Sequence, residues 1–525
     1  MVVPELRPWR AAGPRVARLA NAVRPRLAQA VTAGRPRLAR LGRAASAQVI
    51  RVKTWQYTAG AATVGLALAV GAVSTAGPWD SSGQRTAERD RAAAQEHTGG
   101  ADHGRDSATT ATAPHAAPSA ASVLSGLGGS ADEVRSAPGA KALAGVLDPL
   151  LDTSALGGRR SAAVVDVTTG KRLYGTGSGT ALTPASTTKI ATAAAALSAL
   201  GPDHRLTTRA ALEPDTGELV LVGGGDPTLT ARKDAEGWAS LRALAEDTAT
   251  ALKKDGMREV TLSYDTTLYA GDADHPIGVN DNLAQVSALM ADEARTDDSV
   301  SGPAPRAADP AAEASRTFAG LLKGHGIKTT SPGPSKATGR ARTLAEVSSP
   351  PLAALVERML THSDNDIAEA LARQTALATG ERADFDGAGR ALRAELKKLG
   401  VPVKGADFKD GSGLNRDDRL TADTLTALLA KSGDPAHPEL RPILTGLPVA
   451  GFTGTLTSRY TDGAAGVVRA KTGTLTGVNA LAGTVVDQDG HLLAFAFLAT
   501  DTTDPSAAQS ALDAAATALA ACGCG

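Results

Sequence analysis

Residues 184–197 read Pro184-Ala-Ser186-Thr-Thr-Lys189-Ile-Ala-Thr-Ala-Ala-Ala-Ala-Leu197, and Gly201-Pro202 closes the run. The stretch has the start and stop signals of a helix. Residues three apart share a helix face, so Lys189 can set its amine beside the Ser186 hydroxyl. A hydroxyl becomes a nucleophile when a base lies within reach, and a lysine serves once burial or a second cation depresses its pKa. Ser-x-x-Lys occurs here and nowhere else in the chain. Taken alone, the pair equally describes a capped surface helix.

Two further stretches widen the reading. Ser363-Asp364-Asn365 sits between Leu355-Val-Glu-Arg-Met-Leu360 and Ile367-Ala-Glu-Ala-Leu-Ala372, and it is the chain's single Ser-x-Asn. A junction between two helices can present the hydroxyl as a proton relay and the amide as a hydrogen-bond donor to one pocket, or it can simply cap the second helix. His362 stands beside Ser363, but adjacent residues point apart, so a Ser-His pair is not expected. Farther on, Lys471-Thr472-Gly473-Thr474 lies in the first of three strand-like runs, followed by Asn479-Ala-Leu-Ala-Gly-Thr-Val-Val486 and Leu492-Leu-Ala-Phe-Ala-Phe-Leu498. Short turns join them, which predicts an antiparallel sheet. Gly473 inside a strand weakens it unless another backbone must come close, for instance an extended peptide adding itself to the sheet edge. Lys471 would then supply a fixed cation near the reacting centre.

The order Ser-x-x-Lys, Ser-x-Asn, Lys-Thr-Gly, each once, marks serine β-lactamases and penicillin-binding proteins. The expected fold class is α/β (α+β), a β-lactamase/penicillin-binding transpeptidase-like serine fold. From Ser186 to Ser363 is 177 residues, far more than a compact β-lactamase resembles. Glu218-Leu-Val-Leu-Val-Gly-Gly-Gly-Asp226 and Glu259-Val-Thr-Leu-Ser-Tyr-Asp265 fall between them, so an inserted strand-rich domain is expected. With Pro-Ala-Ser-Thr-Thr-Lys, Gly-Gly-Gly-Asp-Pro, Ser-Asp-Asn, Asp410-Gly-Ser412-Gly-Leu414 and Lys-Thr-Gly-Thr, residues 140–521 closely resemble the class C low-molecular-mass penicillin-binding proteins, the D-Ala-D-Ala carboxypeptidase/endopeptidase family. Residues 291–312, an acidic Pro/Ala-rich connection, stand where longer members of that family hold a further domain.

The resemblance implies that Ser186 attacks the carbonyl between the two D-alanines of a peptidoglycan stem peptide while Lys189 takes its proton. Ser363 and Lys471 would protonate the departing D-Ala, with Asn365 completing the catalytic set. Backbone N–H groups of Ser186 and Thr474 would form the oxyanion hole, and Thr472, Gly473 and Thr474 would bind substrate, the two threonines through its terminal carboxylate. The implied partners are stem peptides and β-lactams, with no nucleic acid, no metal and no organic cofactor. Ser412 and Asp226 are expected to be structural, since Gly-rich turns with an Asp are ordinary loops. The rival readings are a β-lactamase and a non-catalytic, membrane-tethered wall-binding protein.

Working outward, the 525 residues carry 55 basic and 55 acidic side chains and are 42% hydrophobic, enough for a sizeable core and against a wholly disordered chain. The only two cysteines, Cys522 and Cys524, exclude a disulfide-stapled scaffold. Charge neutrality is a sum of opposites. Residues 1–53 hold twelve Lys/Arg and one acid, Glu5, leaving 43 basic against 54 acidic residues beyond. Residues 58–77 are uncharged for twenty positions, with Trp55 and Trp79 flanking them, the length and edges of a bilayer-spanning helix. The expected organisation is a basic cytoplasmic head (1–53), a membrane anchor or cleaved signal (54–79), a disordered linker (80–137), catalytic parts at 138–202 and 346–525, and the inserted domain at 203–345. The catalytic body is then extracytoplasmic, on a single-pass anchor in the cell membrane or secreted if the segment is cleaved.

Overall fold

The computed structural model describes residues 138–523 except 236, 461 and 462. The basic head, the apolar segment 58–77 and the linker lie outside the described residues. In chain order the first elements are α1 (Ala140–Leu151), β1 (Arg159–Asp166), β2 (Arg172–Thr176) and α2 (Thr188–Leu200). The inserted region supplies β3 (Thr207–Leu212), β4 (Leu219–Val222), α3 (Leu241–Lys254), β5 (Glu259–Asp265), α4 (Pro310–Gly324), β6 (Lys328–Pro334) and β7 (Arg342–Ser348). After it come α5 (Leu352–His362), α6 (Asn365–Ala378), α7 (Phe385–Lys398), α8 (Ala422–Gly433), α9 (Arg441–Gly446), β8 (Arg469–Leu475), β9 (Val478–Val486), β10 (Leu492–Thr500) and α10 (Pro505–Ala520).

Two five-stranded sheets organise these elements. The catalytic sheet runs β2-β1-β10-β9-β8, antiparallel throughout, and so joins strands from both ends of the described chain. Strand period two explains its two cores. On β10, Leu493, Phe495 and Phe497 face a cluster closed by α1 and α10, while Ala494, Ala496 and Leu498 face a cluster built on α2, α5, α6, α7 and α8. Sheet and helices thus form three layers, with α2 in the middle of the helical one. Every residue of α2 from Thr188 to Leu197 is buried, as a helix without a solvent face requires. Its run of alanines lets neighbouring helices approach closely.

The second sheet runs β6-β5-β4-β3-β7, with β4, β5 and β6 parallel and the remaining pairs antiparallel. Helices α3 and α4 cover one face around Leu244, Leu252, Phe318 and Leu322. Its last strand ends at Ser348, three residues beyond the boundary the sequence suggested. Residues 291–312, expected as an acidic Pro/Ala-rich connection, run into the start of α4, and the stretch before it packs on the catalytic part. The side chains of Arg295 and Arg306 from this stretch are both buried, with Arg295 2.8 Å from Glu293 and 2.9 Å from Ser299 Oγ, and Arg306 3.0 Å from Asp366 of α6. Once desolvated, each arginine needs a carboxylate partner; Arg295 finds Glu293 within the segment, and the pairing of Arg306 with Asp366 docks the segment onto the catalytic part.

Candidate active site

Ser186 lies in a single 3-10 turn, Ala185–Thr187, that runs directly into α2. Two close backbone approaches hold this turn. A Cβ on Gly473 of β8 would come 2.7 Å from the Pro184 carbonyl oxygen, and one on Gly413 would come 1.9 Å from the Ala185 carbonyl oxygen. The backbone that comes close to Gly473 is therefore that of the protein's own nucleophile turn. Ala185 itself has φ 47°, a left-handed conformation that an alanine holds only when its surroundings over-determine it.

Lys189, in the first turn of α2, is fully buried. Its Nζ is 3.0 Å from Ser186 Oγ, 2.7 Å from Asn365 Oδ1 and 2.7 Å from the Ser412 carbonyl oxygen. Two carbonyl-type oxygens accept only, so a neutral amine spends both N–H bonds on them and its lone pair is left for the serine hydroxyl. Burial lowers the Lys189 pKa to about 8, against the opposing pull of Asp410, Glu369, Asp364 and Asp418.

Ser363 ends α5 in the left-handed region, at φ 59° and ψ 39°, and Asp364 caps α6 by accepting from the Ile367 N–H at 3.0 Å. The tripeptide thus does what a helix junction demands and also sets Ser363 and Asn365 on one side. Lys471 on β8 donates to Ser363 Oγ and to the Thr472 carbonyl, each at 2.8 Å. It is fully buried, and burial together with the charge of Lys189 pushes its pKa well below that of a free lysine. Asn365 Nδ2 donates to the Asn282 carbonyl at 2.8 Å, which fixes the amide so that its oxygen faces Lys189.

A cavity of about 310 Å³ opens over these groups, lined by Ser186, Ser363, Asn365, Thr472 and Thr474. The structure therefore brings together the residues expected to act on substrate, with Lys189 and Lys471 bonded from beneath and Gly473 between the two threonines. The lining also includes residues the sequence did not single out: Asn282, Arg295 and Arg306 from the inserted region, and Thr455. Thr472 Oγ1 donates to Thr455 Oγ1 at 3.0 Å. Ser412, read as structural, contributes its carbonyl to Lys189, and no side-chain signal could have announced a backbone atom. His362 lines the cavity too, where burial lowers its pKa. Asp226 is buried, accepts from Thr228 and forms no part of the lining.

Among the described residues, two clusters bring titratable groups close enough to share a cation, His275/Glu369/Asp410 and Glu293/Asp364/Asp366. Their oxygens are already engaged. Glu369 accepts from Gly411 and Ser412, Asp410 from Gly413 and Asn415, and the second cluster faces Arg295 and Arg306. Burial raises Asp366 to about 7, with Arg306 pulling the other way.

Comparison with known proteins agrees with this geometry. The profile of the D-Ala-D-Ala carboxypeptidase 3 (S13) family matches residues 143–305 and 302–519. A carboxypeptidase DacB of Mycolicibacterium smegmatis is 38% identical over 69% of this chain and 80% of its own length. A D-alanyl-D-alanine carboxypeptidase of an Actinomadura species is 31% identical over 66% of this chain and 79% of its own. Among solved structures, penicillin binding protein 4 of Haemophilus influenzae shares the fold, with a TM-score of 0.57 and 21% identity over 70% of this chain and 94% of that one. With a profile match spanning nearly all the described residues and a lysine-paired serine beneath the cavity, the chain belongs to the D-Ala-D-Ala carboxypeptidase 3 (S13) family of serine peptidases.

Proposed function

We propose that this chain removes the C-terminal D-Ala from peptidoglycan stem peptides through an acyl-enzyme on Ser186, and that β-lactams acylate the same oxygen. The observation that carries the reading is the buried Lys189 amine, 3.0 Å from Ser186 Oγ with its other two partners both carbonyl oxygens. Neutral Lys189 takes the Ser186 proton as Oγ bonds to the carbonyl carbon between the two D-alanines. The developing oxyanion is met by the backbone N–H groups of Ser186 and Thr474. The C–N bond then breaks as the proton taken by Lys189 passes to the departing amine through Ser363, which Lys471 holds in place, leaving Lys189 neutral. Thr472 and Thr474 hold the terminal carboxylate, with Thr455 orienting Thr472. Water hydrolyses the ester, and Lys189 returns as its base.

The full chain incubated with a synthetic stem pentapeptide should release free D-alanine, and Ser186→Ala should release none. Undiminished release by that variant would reject the mechanism. For location, the charge asymmetry about residues 58–77 supports a single-pass anchor with the catalytic body outside the cytoplasm. Added protease should then digest the catalytic body on intact spheroplasts; its protection there, with digestion only after lysis, would reject this placement.

A further inference from the structure

His275 belongs to the inserted region, in the loop that follows β5, yet its ring is buried against the catalytic part. Its Nε2 is 2.9 Å from Asp410 Oδ2, with both side chains almost wholly enclosed, and its ring meets Phe385 edge-on at 5.3 Å. The Ile277 N–H donates to Nδ1 at 3.2 Å, so Nε2 carries the proton and donates to Asp410. Asp410 in turn accepts from the Gly413 and Asn415 N–H groups, each at 2.6 Å. The loop so held contains Ser412, whose carbonyl accepts from Lys189 at 2.7 Å.

We propose that His275 is a positioning residue for acylation: by donating to Asp410 it fixes the 410–415 loop, and through the Ser412 carbonyl it aims the Lys189 lone pair at Ser186. The inserted domain thereby takes part in the chemistry through a residue that lies outside the cavity lining. Glu369 braces the same loop from α6 by accepting from the Ser412 N–H at 2.9 Å, so a helix of the catalytic part and His275 of the inserted region hold the loop between them. The proposal rests on the acyl-enzyme reading above.

The test is saturation kinetics of the full chain with a fluorescent penicillin, separating the limiting acylation rate from the pre-covalent dissociation constant, for wild type, His275→Ala and His275→Gln. A Gln amide can place a donor where Nε2 lies. The alanine variant should lose about tenfold or more in the limiting rate while the dissociation constant stays within about twofold, and the glutamine variant should recover to within about threefold of wild type. A merely structural role would lower the melting temperature and leave the limiting rate per labelled site unchanged. That result would overturn the proposal, as would a glutamine variant as slow as the alanine one. If wild type itself takes no label, the acyl-enzyme reading fails first; if all three label alike, only the role of His275 falls.

Discussion

The chemistry turns on two lysines, both fully buried, that play different parts because their neighbours differ. Lys189 has three oxygen partners and the field of several carboxylates, and its pKa falls only to about 8. Lys471 has the Ser363 hydroxyl and one carbonyl, and burial together with the charge of Lys189 holds its pKa well below that of a free lysine. The neutral form of Lys189 is the base, and that form grows as pH rises towards its pKa. Acylation by a penicillin should therefore rise about tenfold per pH unit on the acid side and level off near pH 8. A profile flat between pH 6 and 9 would contradict Lys189 as base. The residues carrying this chemistry were legible because Ser186 and Lys189, Ser363 and Asn365, and the Lys471 run are each contiguous in sequence. Ser412 and His275 were not, because one acts through a backbone carbonyl and the other reaches the loop from a distant segment.

Each motif is also a piece of secondary-structure punctuation. Ser186 sits in a 3-10 turn clamped by Gly413 and Gly473, and Ser363 is the left-handed end of α5. A side chain in that region costs about 1 kcal/mol that glycine avoids. Ser363→Gly should therefore be more stable than Ser363→Ala by about 1 kcal/mol in urea unfolding, while both lose the hydroxyl that Lys471 holds and acylate slowly. Equal stability would mean that the backbone relaxes out of the left-handed conformation in the alanine variant. The antiparallel run β8 to β10 followed from strand-like runs joined by short turns, and the helix after Ser186 from its start and stop signals. The partner of Gly473 did not, since a bare glycine shows that something comes close without showing what.

On the scale of the whole molecule, the inserted region is more than an appendage between two motifs. It supplies Asn282, Arg295 and Arg306 to the cavity wall and His275 to the loop beneath Lys189. Local composition read residues 291–312 as an acidic tether. Burial of Arg306 against Asp366 depends on long-range packing, which no window of sequence displays. The catalytic core is built largely of Ala, Leu and Val, with Trp238 of the inserted region packed against it, and it still assembles a centre with two buried lysines. The central claim is that Ser186 Oγ forms the covalent bond. Intact mass of the full chain after incubation with benzylpenicillin measures it most directly: wild type should gain the full mass of one penicillin and Ser186→Ala none, whereas an unlabelled wild type, or equal label on both, would contradict the account.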